Sequence, residues 1–273
     1  MNGMSFPNPR VLFHPFAFLA ALMCPCEVDG ARDFSTDRPD ATESPFTLEP
    51  GRMQLEASAA SWLRERHSPE RNGTTVEIWN LLPFNLRIGL STQWELQVVI
   101  DGHLDVKAEN RPMGIRLRQR GIGDITLRAK RNLWGNDGGR TAFGVMPFIK
   151  LPTASDGLGN DFIEGGIIFP FAMEIGERMS FGAMTELDLL RNAQDRNDAI
   201  WINTVTFGRD LTDRLGAFAE LTFETGDGKP ALGLNTGLTL MVNDDLQLDA
   251  SVAIGMTRAA PDLVVSIGFS QRF

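Results

Sequence analysis

The side chains of this sequence that could do chemistry are charged ones, spaced two apart. Arg116, Arg118, Arg120, Arg128 and Lys130 share one parity, while Ile115, Leu117, Ile125 and Leu127 hold the other. Glu95, Glu174, Glu186, Asp188, Glu220 and Glu224 alternate with apolar residues in the same way. In an extended chain, side chains two apart project to one face. Facing rows of opposite sign suit a water-filled constriction, whose transverse field orients and filters small polar solutes. The competing arrangement pairs those charges and fills a narrow lumen, since barrel width grows with strand number.

Nucleophile chemistry is thinly supplied. Beyond the N-terminal stretch the histidines are His67 and His103; Asp101 and Asp105 flank His103, and Ser61 and Ser68 are near His67 in sequence. An Asp–His hydrolase site at an exposed rim is therefore the alternative reading, without a G-x-S-x-G turn to support it. Cys24-Pro25-Cys26 is too tightly spaced for a metal site, and no glycine loop is built to cradle phosphate, so no metal and no cofactor are expected. A net charge of −9 argues against nucleic acid as a partner.

The elements that must position these charges are short alternating segments. Leu263, Val265, Ile267, Phe269 and the terminal Phe273 share one face, against Asp262, Ser266, Ser270 and Arg272. Period-two alternation marks strands with one apolar face. Twelve are predicted, near 51–63, 74–90, 93–103, 114–134, 139–151, 163–175, 178–190, 199–208, 213–224, 231–242, 246–256 and 262–273. Pro83 and Asn80 predict a bulge within the second. Connections alternate between long ones, such as 64–73, 104–113 and 152–162, and tight ones, such as 91–92, 176–177 and 243–245. Trp94 and Trp134 fall beside tight turns, Trp62 and Trp201 beside long loops.

This rhythm predicts an all-β fold, an antiparallel transmembrane β-barrel of about twelve strands, with short periplasmic turns and longer extracellular loops. Only a closed barrel or a helix satisfies every backbone polar group in lipid. Ahead of it, Arg10, the apolar run 11–23, and Val28 and Gly30 before Ala31 read as a cleaved signal peptide. The domains are then a signal peptide at 1–30, a periplasmic or lumenal segment at 31–50 and the barrel at 51–273. Both cysteines would leave with the signal peptide.

The stretch 34–56 carries Thr36, Asp37, Arg38, Pro39, Asp40, Thr42, Glu43, Ser44 and Pro45, then Gly51, Gln54 and Glu56. It resembles the opening of the outer-membrane transporters called the "MetA-pathway of phenol degradation" family. Gly121, Gly123 and Asp124 (G-x-G-D) and the K-L-P-T of 150–153 fit the same resemblance. The resemblance implies a porin-like barrel in a Gram-negative outer membrane that passes small solutes, aromatic or hydrophobic compounds among them. A non-conducting structural barrel is the other alternative. The partners expected are outer-membrane lipids, lipopolysaccharide, and the assembly machinery that reads a C-terminal strand ending in a residue such as Phe273. Asp37, Arg38, Asp40 and Glu43 are candidate plug residues, placed to enter the lumen and meet the basic row; the bland reading is a solvated tail.

Overall fold

The computed structural model describes residues 32–66, 73–155, 157–159, 161–191, 197–226 and 230–273. The stretch 1–30 expected to be a signal peptide, both cysteines, His67 and Ser68 lie outside them.

Alternation here produces antiparallel strands that close on themselves. In chain order they are β1 (Met53–Glu65), β2 (Thr75–Leu81), β3 (Phe84–Gly89), β4 (Trp94–Ile100), β5 (His103–Asn110), β6 (Ile115–Ile122), β7 (Ile125–Trp134) and β8 (Thr141–Leu151). Then follow β9 (Glu164–Gly176), β10 (Met179–Arg191), β11 (Asn197–Asp210), β12 (Leu215–Thr225), β13 (Ala231–Asn243), β14 (Leu246–Gly255) and β15 (Leu263–Arg272). The ring runs from β15 down to β7, then β4, β3 and β1, and β1 pairs back onto β15, giving twelve staves. Three staves are each two strands in line: β2 with β3, β4 with β5, and β6 with β7.

One row of cross-strand partners shows which face meets lipid. Leu240, Leu248, Phe269, Ala57, Phe84, Ile100, Ile125 and Leu151 follow one another around the wall, all apolar. Their face carries the exposed Leu238, Val252, Ile254 and Ile267, whereas Gln54, Glu56, Gln97, Lys130 and Ser270 on the other face are fully enclosed. A soluble sandwich would bury the first set and expose the second. Trp94 and Trp134 are exposed near one rim and Trp79 and Trp201 near the other, as interfacial tryptophans are.

The structure corrects the predicted second, third and fourth strands. Each breaks, at Leu82–Pro83, Asp101–Gly102 and Gly123–Asp124, and each break switches which parity faces out. In β3 the outward residues are Phe84, Leu86 and Ile88; in β2 they are Trp79 and Leu81, with Val76 and Ile78 turned inward. The expected long connection 104–113 is mostly strand β5, closed by a tight turn whose Gly114 has φ +65°. Leu82 adopts φ +55° at the first break. Glycine is required at the next two. A Cβ on Gly102 would lie 2.0 Å from the Leu81 carbonyl oxygen and 2.5 Å from Pro83 N, and one on Gly123 would lie 2.3 Å from Asp101 Cβ.

The far edge of β6 has no strand partner among the described residues. Residues 153–155 dock there instead: Ser155 N–H donates to the Ile122 carbonyl at 2.8 Å. Asp124 accepts from Thr153 N–H (3.0 Å) and Ala154 N–H (2.9 Å) and meets Lys150 Nζ at 3.4 Å. The G-x-G-D and K-L-P-T stretches thus form one structural joint. Gly102→Ala is expected to destabilise the barrel by roughly 1–3 kcal/mol, because backbone rather than a flexible tip must move. Urea unfolding in lipid vesicles measures it, with Gly176→Ala, whose Cβ would meet nothing within 4 Å, as the neutral control.

Candidate functional site

The segment ahead of β1 is drawn into the barrel. Arg32 sits at the rim of tight turns, its guanidinium 2.7 Å from Asp137 and donating to the Thr92 carbonyl. The chain rises into the lumen and returns to the same rim. There Thr47 N–H donates to Asn136 Oδ1 (2.9 Å), Leu48 N–H to Glu95 (2.8 Å), and Gly51 N–H to the Gly89 carbonyl (2.9 Å).

Between those ends it meets the wall on every side. Toward β7, Asp37 takes Lys130 Nζ at 2.6 Å and Glu43 takes Arg128 at 2.6 Å. Toward β14, Arg38 pairs with Asp249 at 2.7 Å, with its other arm on Ser58 Oγ. Toward β12, Glu220 Oε1 accepts Thr42 N–H (2.8 Å) and Thr42 Oγ1 (2.7 Å), and its Oε2 accepts Ala41 N–H (2.9 Å) and Asn235 Nδ2 (2.9 Å). Thr42 also reaches Thr204 of β11.

Arg87 of β3 is the hub. Its Nε and Nη2 clamp Glu95 at 2.8 and 3.0 Å, and Nη1 donates to Glu56 at 2.8 Å. The remaining donors go to the Ser35 and Phe46 carbonyls, both 3.1 Å away in the inserted segment. All five guanidinium donors are used, in a site with no exposure. Burial would raise the Asp37 carboxyl, but Arg87 and Lys130 hold it well below the usual carboxylate range. Burial pushes Asp40 up to about 7, with the Glu220 charge adding to it. Burial likewise pushes Glu43 up to about 7, against the pull of Arg128.

The family model "Putative MetA-pathway of phenol degradation" matches residues 36–273, most of the chain and all of the barrel. The chain belongs to this family. Its opening stretch, Thr36 to Pro45 here, is the part of the inserted segment that makes the deepest contacts. No curated protein sequence matches the chain. Among solved structures, the COG4313 outer membrane channel from Pseudomonas putida F1 is similar over 88% of this chain and 100% of its own, at 12% identity and TM-score 0.63. The KdgM porin aligns over 81% of this chain and 99% of its own (7% identity, TM-score 0.52). The NanC porin aligns over 80% and 98% (8% identity, TM-score 0.51). The family member described here therefore has the fold of outer-membrane channels and is an outer-membrane β-barrel.

The predicted lumenal charges divide. Glu95, Arg128, Lys130 and Glu220 lie inside and bind the inserted segment or its neighbours. Glu186 and Glu224 flank Ile202 in register, on the face of the enclosed Ile168, and Asp188 follows Glu186 on that face. Glu174 shares a face with Ser180 and Phe218 near the tight-turn rim. Arg116, Arg118 and Arg120 do not line the lumen. They pair in register with Glu109, Lys107 and Asp105, and through Glu77 with Arg64, on the outward face. The parity switch at Gly123 separates them from Arg128 and Lys130. Arg87, Gln97 and Asp249 carry no mark in the sequence beyond the polar parity of their strands, and Glu56 stands out there only through the family resemblance. His103 faces outward between Leu81 and Ile122, and Asp105 is held by Arg118 and Arg120. No cluster of metal-ligating side chains occurs among the described residues.

Proposed function

We propose that this protein is a passive outer-membrane channel whose segment 32–50 fills the half of the lumen nearest the tight turns, and whose cargo is small and apolar, aromatic compounds included. The parity switch carries the reading. Above the breaks it turns Val76, Ile78, Leu104, Val106 and Leu117 into the lumen and sends the charges outside. A vestibule walled this way on β2, β5 and β6 favours apolar solutes, at roughly 25 cal/mol per Å² of surface removed from water. Below it, the strongest charges are engaged with the inserted segment, so few remain to steer ions. Asp37, Arg38, Asp40 and Glu43 act in this reading as the residues that seat the segment. The hydrolase reading lacks support at His103, whose cross-strand neighbours are apolar.

Uptake into proteoliposomes tests the proposal. A monoaromatic hydrocarbon is expected to enter faster than a sugar of similar size, and Val106→Asp to slow the hydrocarbon by about tenfold, the equivalent of one buried apolar side chain. Equal rates for both solutes, unchanged in the variant, would remove the apolar vestibule from the account.

A further inference from the structure

Outside the barrel, the wall from β15 to β6 is ordered in rows of cross-strand partners. Ile267, Ala60, Leu81, His103 and Ile122 form one row. Nearer the extracellular rim comes Val265, Trp62, Trp79, Asp105 and Arg120, the two indoles 6.2 Å apart. Arg64, Glu77, Lys107 and Arg118 make the next, and Thr75, Glu109 and Arg116 the last. Successive rows are two residues apart, about 5 Å along the membrane normal at a strand tilt near 40°. Tryptophan marks the membrane–water interface. The charged rows therefore stand at the depth of the headgroups, directly above hydrocarbon.

Cations are in excess on this face. Arg64, Lys107, Arg116, Arg118 and Arg120 outnumber Glu77, Asp105 and Glu109, in a chain whose net charge is −9. The carboxylates brace the cations: Glu109 takes Arg116 Nε at 3.0 Å, and Asp105 takes Arg120 Nε at 3.1 Å and both Nε (2.8 Å) and Nη2 of Arg118, which leaves both terminal nitrogens of Arg116 and Arg120 and one of Arg118 without a partner among the described residues. Arg116 has a side chain 84% exposed. The rows bound an outward cleft of about 780 Å³.

We propose that this face is a binding site for lipopolysaccharide, its phosphates on Lys107, Arg116 and Arg118 and its acyl chains running down over Trp62, Trp79 and Leu81. Only a ligand with clustered phosphates immediately above acyl chains matches charge and grease stacked in that order. Arginine supplies charge-assisted bonds to phosphate oxygens, and the interfacial depth makes the outward charges cheap to keep there. The site does not depend on what the channel carries.

Titration of the full-length mature barrel, delipidated in neutral detergent and followed by tryptophan fluorescence and native mass spectrometry, tests it. The probes are bisphosphorylated lipid A, the same glycolipid without phosphates, phosphatidylglycerol and inorganic phosphate. Bisphosphorylated lipid A is expected to bind at least tenfold more tightly than each of the other three, and less tightly as salt rises. Lys107→Gln with Arg116→Gln is expected to erase at least tenfold of that preference, and Arg116→Gln alone, at a solvent-exposed position where folding is undisturbed, about threefold. Equal binding of the phosphate-free glycolipid, of phosphatidylglycerol or of free phosphate, or an undiminished preference in the single variant, would overturn the proposal.

Discussion

Arg87→Met is expected to cost the folded barrel about 3–5 kcal/mol, the loss typical of removing one partner from a buried ion network. The substitution preserves much of the volume but strips the guanidinium that contacts Glu56, Glu95 and Asp37 together. Asp37 would keep Lys130, but Glu56 and Glu95 would keep only neutral donors among the described residues: Gln54 and Asp37 N–H on Glu56, Gln97 and Leu48 N–H on Glu95. Arg87→Lys is expected to recover only part of the loss, because an ammonium cannot clamp Glu95 with two parallel bonds while donating to the Ser35 and Phe46 carbonyls. Combining Arg87→Met with Glu56→Gln and Glu95→Gln is expected to restore stability beyond the sum of the single effects, since the charges left unpaired are then neutral. Urea unfolding in lipid vesicles reads all of these. A loss below about 1 kcal/mol for Arg87→Met would mean that water reaches the hub, and the tightly filled lower lumen would have to be abandoned.

The twelve staves were legible because lipid imposes a simple rule: every outward position of a spanning strand must be apolar. Alternation in β12 to β15 obeys it with exceptions such as Thr236, whose hydroxyl is satisfied by the Phe218 carbonyl at 2.7 Å, and Gln271 near the rim, and the register found there is the one parity predicts. Parity counting also assumes an unbroken strand. At Leu82, Gly102 and Gly123 the chain takes a local step, and everything beyond it swaps faces. Arg116, Arg118 and Arg120 look continuous with Arg128 and Lys130 on paper for that reason alone. The glycines were visible, but what makes them necessary is the approach of Leu81, Pro83 and Asp101 from neighbouring staves. The inserted segment was legible as acidic, Pro-rich and placed before the first strand. Its partners were not, because Arg38 and Asp249 are 211 residues apart and only barrel closure brings them together. Arg87 likewise carries no local mark: its importance is the sum of contacts from β1, β4 and both limbs of the inserted segment.

Glu220→Gln is expected to convert a mostly closed channel into one that opens often. The carboxylate gathers two backbone N–H groups and a hydroxyl from Ala41 and Thr42, at the tip of the inserted segment. A neutral amide offers one acceptor oxygen where there were two charged ones. Losing about 2–4 kcal/mol of charge-assisted hydrogen bonding shifts the seated-to-released ratio roughly 30- to 1,000-fold. Single-channel recording in planar bilayers should show a larger open fraction, with little change in the stability of the wall. The same contact sets a pH dependence. Seated, Asp40 keeps its proton up to about 7; released into water, it would lose it near the ordinary value of 3.8. Glu43 behaves alike, held at about 7 among Arg128, Lys130, Asp37 and Glu56. The seated form therefore binds more protons between those values, and it loses stability as pH rises through that window, by up to about tenfold per unit for each group. Wild-type open probability is expected to climb from pH 5 to pH 8. Burial is the larger cause of the Asp40 shift and Glu220 the second, so Glu220→Gln should flatten the climb without abolishing it. An open fraction that falls with rising pH, or a variant as steep as the wild type, would separate the gate from these carboxyls.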